Sequence, residues 1–182
     1  MHIGDLLPRL RLTTPTGGSF SLEQHRGDRP TVVLVVCNHC PFVKHVAPTL
    51  GDLGREWSTL GVVAVAINPN VATHPGDAPE RMGPFADGAG WSFPYVVDAD
   101  QSATTALGAA VTPDAFVFDG AGTLVYHGRI DSSTPGNGLR SDGADLRAAV
   151  RAVAAGDVPA QDQVQTLGCG VKWIGAEELP DA

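Results

Sequence analysis

The stretch Thr31-Val32-Val33-Leu34-Val35-Val36-Cys37-Asn38-His39-Cys40-Pro41-Phe42 decides how the rest of the chain is read. Residues 31–36 are an unbroken β-branched and aliphatic run, the pattern of a strand covered on both faces in a mainly parallel sheet. A C-x-x-C follows, then proline. Phe42, Val43, Val46, Leu50, Leu53 and Trp57 recur at helical spacing as far as residue 60, and Pro41 suits the first helical position. The order is therefore strand, C-x-x-C, helix. A helix N-terminus carries about half a positive charge and unpaired N–H groups, so a thiol at this junction ionises readily, and the thiolate is the reactive species.

Outward from that centre, residues 61–67 are a second buried-strand candidate, which closes a βαβ unit with a right-handed crossover. Residues 10–14 and 19–22 flank Thr16-Gly17-Gly18 and predict an N-terminal hairpin, with a polar connector over 23–30. Residues 68–89 begin as a loop and turn helical over 79–86; 95–97 reads as a short strand and 102–109 as a short helix. Residues 115–118 and 124–130 surround Asp119-Gly120-Ala121-Gly122, a hairpin signal that turns the sheet antiparallel. Leu146, Val150 and Val153 put a last helix over 143–155. The expected fold is an α/β/α sandwich on a central mixed sheet, one domain over 1–156 with a tail, 157–182, packed on it.

Composition narrows the function. The 182 residues carry 12 Lys and Arg against 20 Asp and Glu, a formal charge of −8, with no basic stripe, so affinity for nucleic-acid phosphates is not expected. No apolar run approaches the roughly 18 residues of a membrane span, and the first twelve residues lack a long apolar segment, so a cytoplasmic protein is expected. The 22 glycines and 14 prolines indicate many loops, at a level below that of disordered chains. No phosphate loop, H-E-x-x-H or G-x-S-x-G occurs.

Three cysteines in a chain of this size do not make a disulfide scaffold. Cys37 and Cys40 read either as a redox dithiol or as part of a metal site, for which Cys37, Cys40, His45 and Cys169, with His39 in reserve, are a possible ligand set. The spacing lacks the second close pair of a zinc finger, and no metal or other cofactor is expected. Cys169, in Gly168-Cys169-Gly170-Val171-Lys172-Trp173, has two open readings: a third redox thiol, or a residue packed with Trp173 in a covering tail. Trp91 and Phe93 read as core or pocket-wall residues, Trp91 being the candidate for substrate contact.

Five strings carry a family resemblance: Cys37-Asn38-His39-Cys40-Pro41-Phe42-Val43, Phe93-Pro94-Tyr95-Val96-Val97-Asp98, Thr112-Pro113-Asp114-Ala115-Phe116-Val117-Phe118-Asp119, Gly128-Arg129-Ile130-Asp131 and the segment around Cys169. In this order, over nearly the whole chain, they resemble the peroxiredoxin-like subgroup of the redoxin (AhpC/TSA) proteins, which implies a thioredoxin-like fold. The resemblance makes Thr112-Pro113 the cis-proline element, beside the dithiol and facing a bound partner. It also shifts the nucleophile. Thioredoxins carry Ala-Pro eight residues after their nucleophilic cysteine, and Ala47-Pro48 stands eight residues after Cys40. Cys40 is thereby implied to be the nucleophile at the helix cap, with Cys37 as its partner.

The same alignment puts Cys37 where peroxiredoxins carry a threonine and Pro113 where they carry the arginine that activates peroxide, which disfavours fast peroxidase chemistry. The resemblance thus implies a cofactor-free thiol–disulfide oxidoreductase acting on protein or small-molecule thiols and disulfides, as monomer or homodimer. His39 is expected to favour a thiolate when protonated and so to make the dithiol less reducing. The alternatives are a slow thiol peroxidase acting on hydroperoxides, with Cys40 resolved by Cys37 or Cys169, and a metal-binding or redox-sensing module without turnover.

Overall fold

A computed structural model describes residues 1–176, so the last six residues of the expected tail lie outside the described residues. The run that opens the sequence reading forms β3 (Thr31–Val35), with all five residues buried. It pairs in parallel with β4 (Val63–Asn68), in register from Thr31↔Val63 to Val35↔Ile67, and β4 pairs in parallel with β5 (Tyr95–Val97). On the other side β7 (Asp114–Phe118) runs antiparallel to β3, and β8 (Leu124–Gly128) antiparallel to β7. The N-terminal hairpin, β1 (Leu12–Thr13) and β2 (Ser19–Phe20), completes a mixed seven-stranded sheet of order β2-β1-β5-β4-β3-β7-β8.

Alternation along the strands divides the core into two layers. Val32, Leu34, Ala64, Ala66, Ala115 and Val117 face α2 (Pro41–Thr59), α3 (Pro79–Gly88) and α5 (Ala144–Ala154), packing with Leu50, Leu53, Trp57, Met82, Leu146 and Val150. Val33, Val35, Val65, Ile67, Phe116 and Phe118 face the other way, towards Leu22 of α1 (Leu22–Arg26) and Leu107 of α4 (Ser102–Leu107). Each fully buried Leu or Phe contributes about 1.5–3 kcal/mol, so these two layers fix the strand register and with it the β3–α2 junction. The loop before β5 lies against α2 because Gly51 has no side chain: a Cβ there would sit 2.2 Å from the Ala89 carbonyl oxygen.

The elements expected from the sequence are present, with three differences. The hairpin strands are only two residues each. The connector expected over 23–30 contains α1, whose N-cap Ser21 accepts a hydrogen bond from the Gln24 N–H; the Ser-x-x-Gln spacing is half of a capping box and marks the helix start. A short β6 (Val111–Thr112) precedes the Thr112–Pro113 peptide, which is cis, and pairs antiparallel with β9 (Cys169–Gly170) from the tail. Two-residue strands carry no periodicity, so sequence could not register that pairing.

Candidate active site

β3 ends two residues before Cys37, and Val36 extends its pairing by donating to the Ile67 carbonyl at 2.9 Å. Cys40 is the N-cap of α2, in extended geometry, with Pro41 at the first helical position. Cys37 and Cys40 are both free and fully buried. Thr112 lies against both: its hydroxyl is 3.3 Å from Cys37 Sγ, and its carbonyl accepts from the Cys40 thiol at 3.2 Å.

The two thiols share one proton-donating relationship. Cys37 donates to Cys40, and that bond, followed by burial, pushes the Cys37 thiol far up, while the Asp77 charge adds to the shift. The same bond, followed by donation from the Cys169 thiol and from the Val43 N–H at the helix N-terminus, holds Cys40 well below an ordinary thiol. Burial opposes ionisation of Cys40, the Thr112 side chain favours it, and the donors outweigh burial. Of the two thiols, Cys40 is the one pushed towards ionisation and Cys37 the one pushed away from it.

Asn38 and His39, between the cysteines, are held by a residue that sequence reasoning missed. Asp77, fully buried at the end of a single helical turn (Pro75–Asp77), accepts from the Asn38 N–H and binds the His39 ring at Nδ1. The His74 ring stacks on His39 with centroids 3.8 Å apart, and burial followed by the neighbouring His39 holds the His74 pKa down. Asn38 also accepts from the Tyr95 hydroxyl at 3.0 Å and donates to the Gly76 carbonyl at 3.2 Å. This clamp fixes the loop between the thiols. The His39 ring bonds Asp77 at Nδ1 and keeps a ring nitrogen within 4.8 Å of Cys37 Sγ. No sequence signal marks Asp77, which lies in a segment read as loop.

Trp91 is placed elsewhere. Its indole N–H donates to the Ala47 carbonyl at 2.9 Å and its ring stacks on Phe93, so it is a buried support of α2 and not a wall of the dithiol site. Pro113 and Phe42 instead line a groove of about 230 Å³ with Val46, Ile130, Thr166 and Leu167. The tail runs across β6: Val171 donates to the Ala110 carbonyl at 3.0 Å, and the register sets Cys169 opposite Thr112. This brings Cys169 onto the dithiol, whereas Trp173 is exposed.

Of the ligand set considered from sequence, the three cysteines come together but His45 does not, its Nε2 being bonded to Ser133 Oγ at 2.9 Å. The structure groups Cys37, His39 and Asp77 instead, with ligand atoms within 4.8 Å of one another. Both Asp77 oxygens and the His39 nitrogen facing them are already engaged in hydrogen bonds, so this group reads as a clamp and fits a metal poorly.

A dithiol at the β3–α2 junction of this sheet, beside a cis-proline turn, defines a thioredoxin-like protein. The chain belongs to the AhpC/TSA family, whose model matches residues 3–127. It is similar to a hypothetical protein of Sinorhizobium meliloti 1021 (37% identity, TM-score 0.92, covering 97% of each chain) and to an uncharacterized conserved protein of Geobacillus kaustophilus (38%, TM-score 0.91, covering 97% of this chain and 94% of that one). A putative peroxiredoxin of Mycobacterium tuberculosis is 31% identical over 106 residues, 58% of this chain and 63% of that protein's length. A disulfide oxidoreductase and a peroxidoxin from M. tuberculosis share the fold alone, at 19% and 20% identity with TM-scores of 0.61 and 0.63. Among the described residues no helix is long and apolar enough to cross a membrane.

Proposed function

We propose that the protein is a thiol–disulfide oxidoreductase in which Cys40 attacks and Cys37 resolves. The observation that carries this reading is the placement of the dithiol: Cys40 caps α2 beside Pro41, Cys37 stands three residues before it, and the Thr112 hydroxyl and carbonyl lie against the two sulfurs. In the forward step the Cys40 thiolate attacks one sulfur of a substrate disulfide, forming a mixed disulfide and releasing the first substrate thiolate, which takes up a proton. Cys37 then gives up its proton, attacks Cys40 Sγ and releases the second substrate thiol, leaving a Cys37–Cys40 disulfide. Thr112 and Pro113 are the substrate-side residues in this reading, and the groove beside Pro113 and Phe42 receives the substrate flank. The chain itself supplies every group the exchange needs, so no cofactor is invoked. Three thiols within reach of one another suit a reducing compartment, which supports a cytoplasmic location.

A slow thiol peroxidase is the second reading, favoured by the family and by the relative named a putative peroxiredoxin. Cys40 would then be oxidised to a sulfenic acid and resolved as a disulfide with release of water. Against it, Thr112-Pro113 offers a carbonyl and a buried ring where a peroxide would need a cation, and Arg129, on the groove wall, is paired with Asp145. Insulin reduction by dithiothreitol, followed by turbidity, tests the first reading beside peroxide consumption in the same buffer. Catalysis of insulin reduction that Cys40→Ser abolishes supports the exchange reading. Peroxide turnover without insulin reduction replaces it with the second.

A further inference from the structure

Solvent reaches the three thiols unequally: Cys37 and Cys40 are fully buried, whereas Cys169 is half-buried at the surface. A small monothiol without a flank to seat in the groove beside Pro113 meets Cys169 before either sulfur of a Cys37–Cys40 disulfide. Cys169 is the thiol in contact with both the pocket and the outside. Its strand is also held more firmly than a trailing tail requires. Gln101, 4% exposed and the one non-glycine residue at positive φ (58°) among the described residues, donates from Nε2 to the Lys172 carbonyl at 2.7 Å and accepts at Oε1 from the Ile174 N–H at 2.8 Å. Buried Asn70 accepts from the Lys172 N–H at 3.0 Å. On the other flank Thr166 donates to the Pro113 carbonyl at 2.7 Å. At Gly168 a Cβ would lie 2.1 Å from the Thr112 carbonyl oxygen, so the strand packs against β6 as closely as backbone allows.

We propose that Cys169 is the recycling thiol of this site: it takes the disulfide over from the buried Cys37–Cys40 pair and presents it to an external monothiol, with Gln101 as the positioning residue that latches its strand. The proposal deepens the exchange reading above and rests on it. In the first step Cys169 loses its proton and attacks Cys40 Sγ. The Cys40–Cys169 bond forms, the Cys37–Cys40 bond breaks, and Cys37 takes a proton. An external thiolate then attacks the outward-facing Cys169 Sγ, and Cys40 departs as a thiolate. A second external thiol attacks the Cys169 mixed disulfide, giving the external disulfide and restoring the Cys169 thiol. Two external thiols are oxidised and one protein disulfide is reduced. The first step follows from contact, since β9 sets Cys169 opposite Thr112, whose carbonyl touches Cys40, and the second follows from access, since Cys169 is the sulfur nearest the surface.

The test uses the full chain oxidised with one equivalent of diamide and re-reduced with glutathione, sampled by acid quench and peptide mass mapping. In the wild type the glutathione adduct is expected on Cys169, and Cys37→Ser is expected to yield a Cys40–Cys169 disulfide. Cys169→Ser is expected to form the Cys37–Cys40 disulfide normally and to be re-reduced at least tenfold more slowly. Gln101→Ala is expected to slow re-reduction while speeding alkylation of Cys40, a combination that general destabilisation would not give at Cys169→Ser rates of dithiol oxidation. An adduct on Cys40 or Cys37 alone, or re-reduction of Cys169→Ser at the wild-type rate, overturns the proposal and leaves the exchange reading intact. Failure of both proteins to form the Cys37–Cys40 disulfide overturns the exchange reading, and the recycling role with it.

Discussion

Cys40 and Thr112 meet across 72 positions of sequence, the thiol donating to the carbonyl at 3.2 Å. The contact puts the N-cap of α2 against the cis-proline turn, so the thiol and the backbone edge that would receive a substrate are parts of one wall. Burial at this wall resists ionisation of Cys40, and the Cys37, Cys169 and Thr112 side chains work against that resistance.

That competition has a spectroscopic consequence. Cys40 is pushed down chiefly by the Cys37 hydrogen bond, so one thiolate should appear well below the pH near 8.5 of a free cysteine when absorbance at 240 nm is followed. Cys37→Ser should move that step to higher pH, since it replaces the principal thiol donor with a different group. A single step near 8.5 in both proteins would contradict the assignment.

Stabilising the Cys40 thiolate stabilises the reduced dithiol. The Cys37–Cys40 couple should therefore titrate against glutathione at a potential less reducing than thioredoxin's, about −270 mV. The sequence reading reaches the same expectation through His39. In this account the sulfur and N–H donors around Cys40 carry the larger share of the effect, so His39→Ala should leave the potential nearly unchanged, whereas a large shift in that variant would return the role to His39.

Asp77 is expected to matter for folding. Asp77→Asn leaves the Asn38 N–H and the His39 ring facing an amide, a loss of about 1–3 kcal/mol that would show as a lower urea midpoint. It should also ease ionisation of Cys37, because the Asp77 charge is one cause of that thiol's high pKa. Unchanged stability would mean that the clamp is not holding the loop.

The fold was legible where the side chains repeat. Residues 31–36 and the α2 face from Phe42 to Trp57 declare a buried strand and an amphipathic helix, and the junction between them locates the dithiol. What the sequence did not reveal depends on single long-range contacts: Asp77 reaching back to His39, Gln101 holding the strand of Cys169, and β6 pairing with β9 over two residues. None has a period to read. Trp91 looked like a binding residue because an aromatic beside Phe93 is equally at home on a pocket wall, and only the bond to Ala47 places it in the core.

Asp114, next to Pro113, is buried and paired with His127 at 3.0 Å. Burial raises its pKa, so the folded state binds more protons than the unfolded one over the pH range just above the ordinary carboxyl value. That contribution is fully present below the unfolded pKa and lost as pH rises through the folded one. Asp114→Asn should flatten this part of the stability curve in urea titrations between pH 4 and 6, and an unchanged slope would contradict it.

The central claim is that Cys40 attacks and Cys37 resolves. The direct measurement is mass-spectrometric trapping after brief exposure of Cys37→Ser and Cys40→Ser to a mixed disulfide, read in the Cys169→Ser background so that the tail thiol takes no part. The account predicts a lasting adduct on Cys40 in Cys37→Ser and none on Cys37 in Cys40→Ser. An adduct on Cys37 in Cys40→Ser, with Cys40 unmodified in Cys37→Ser, would contradict it.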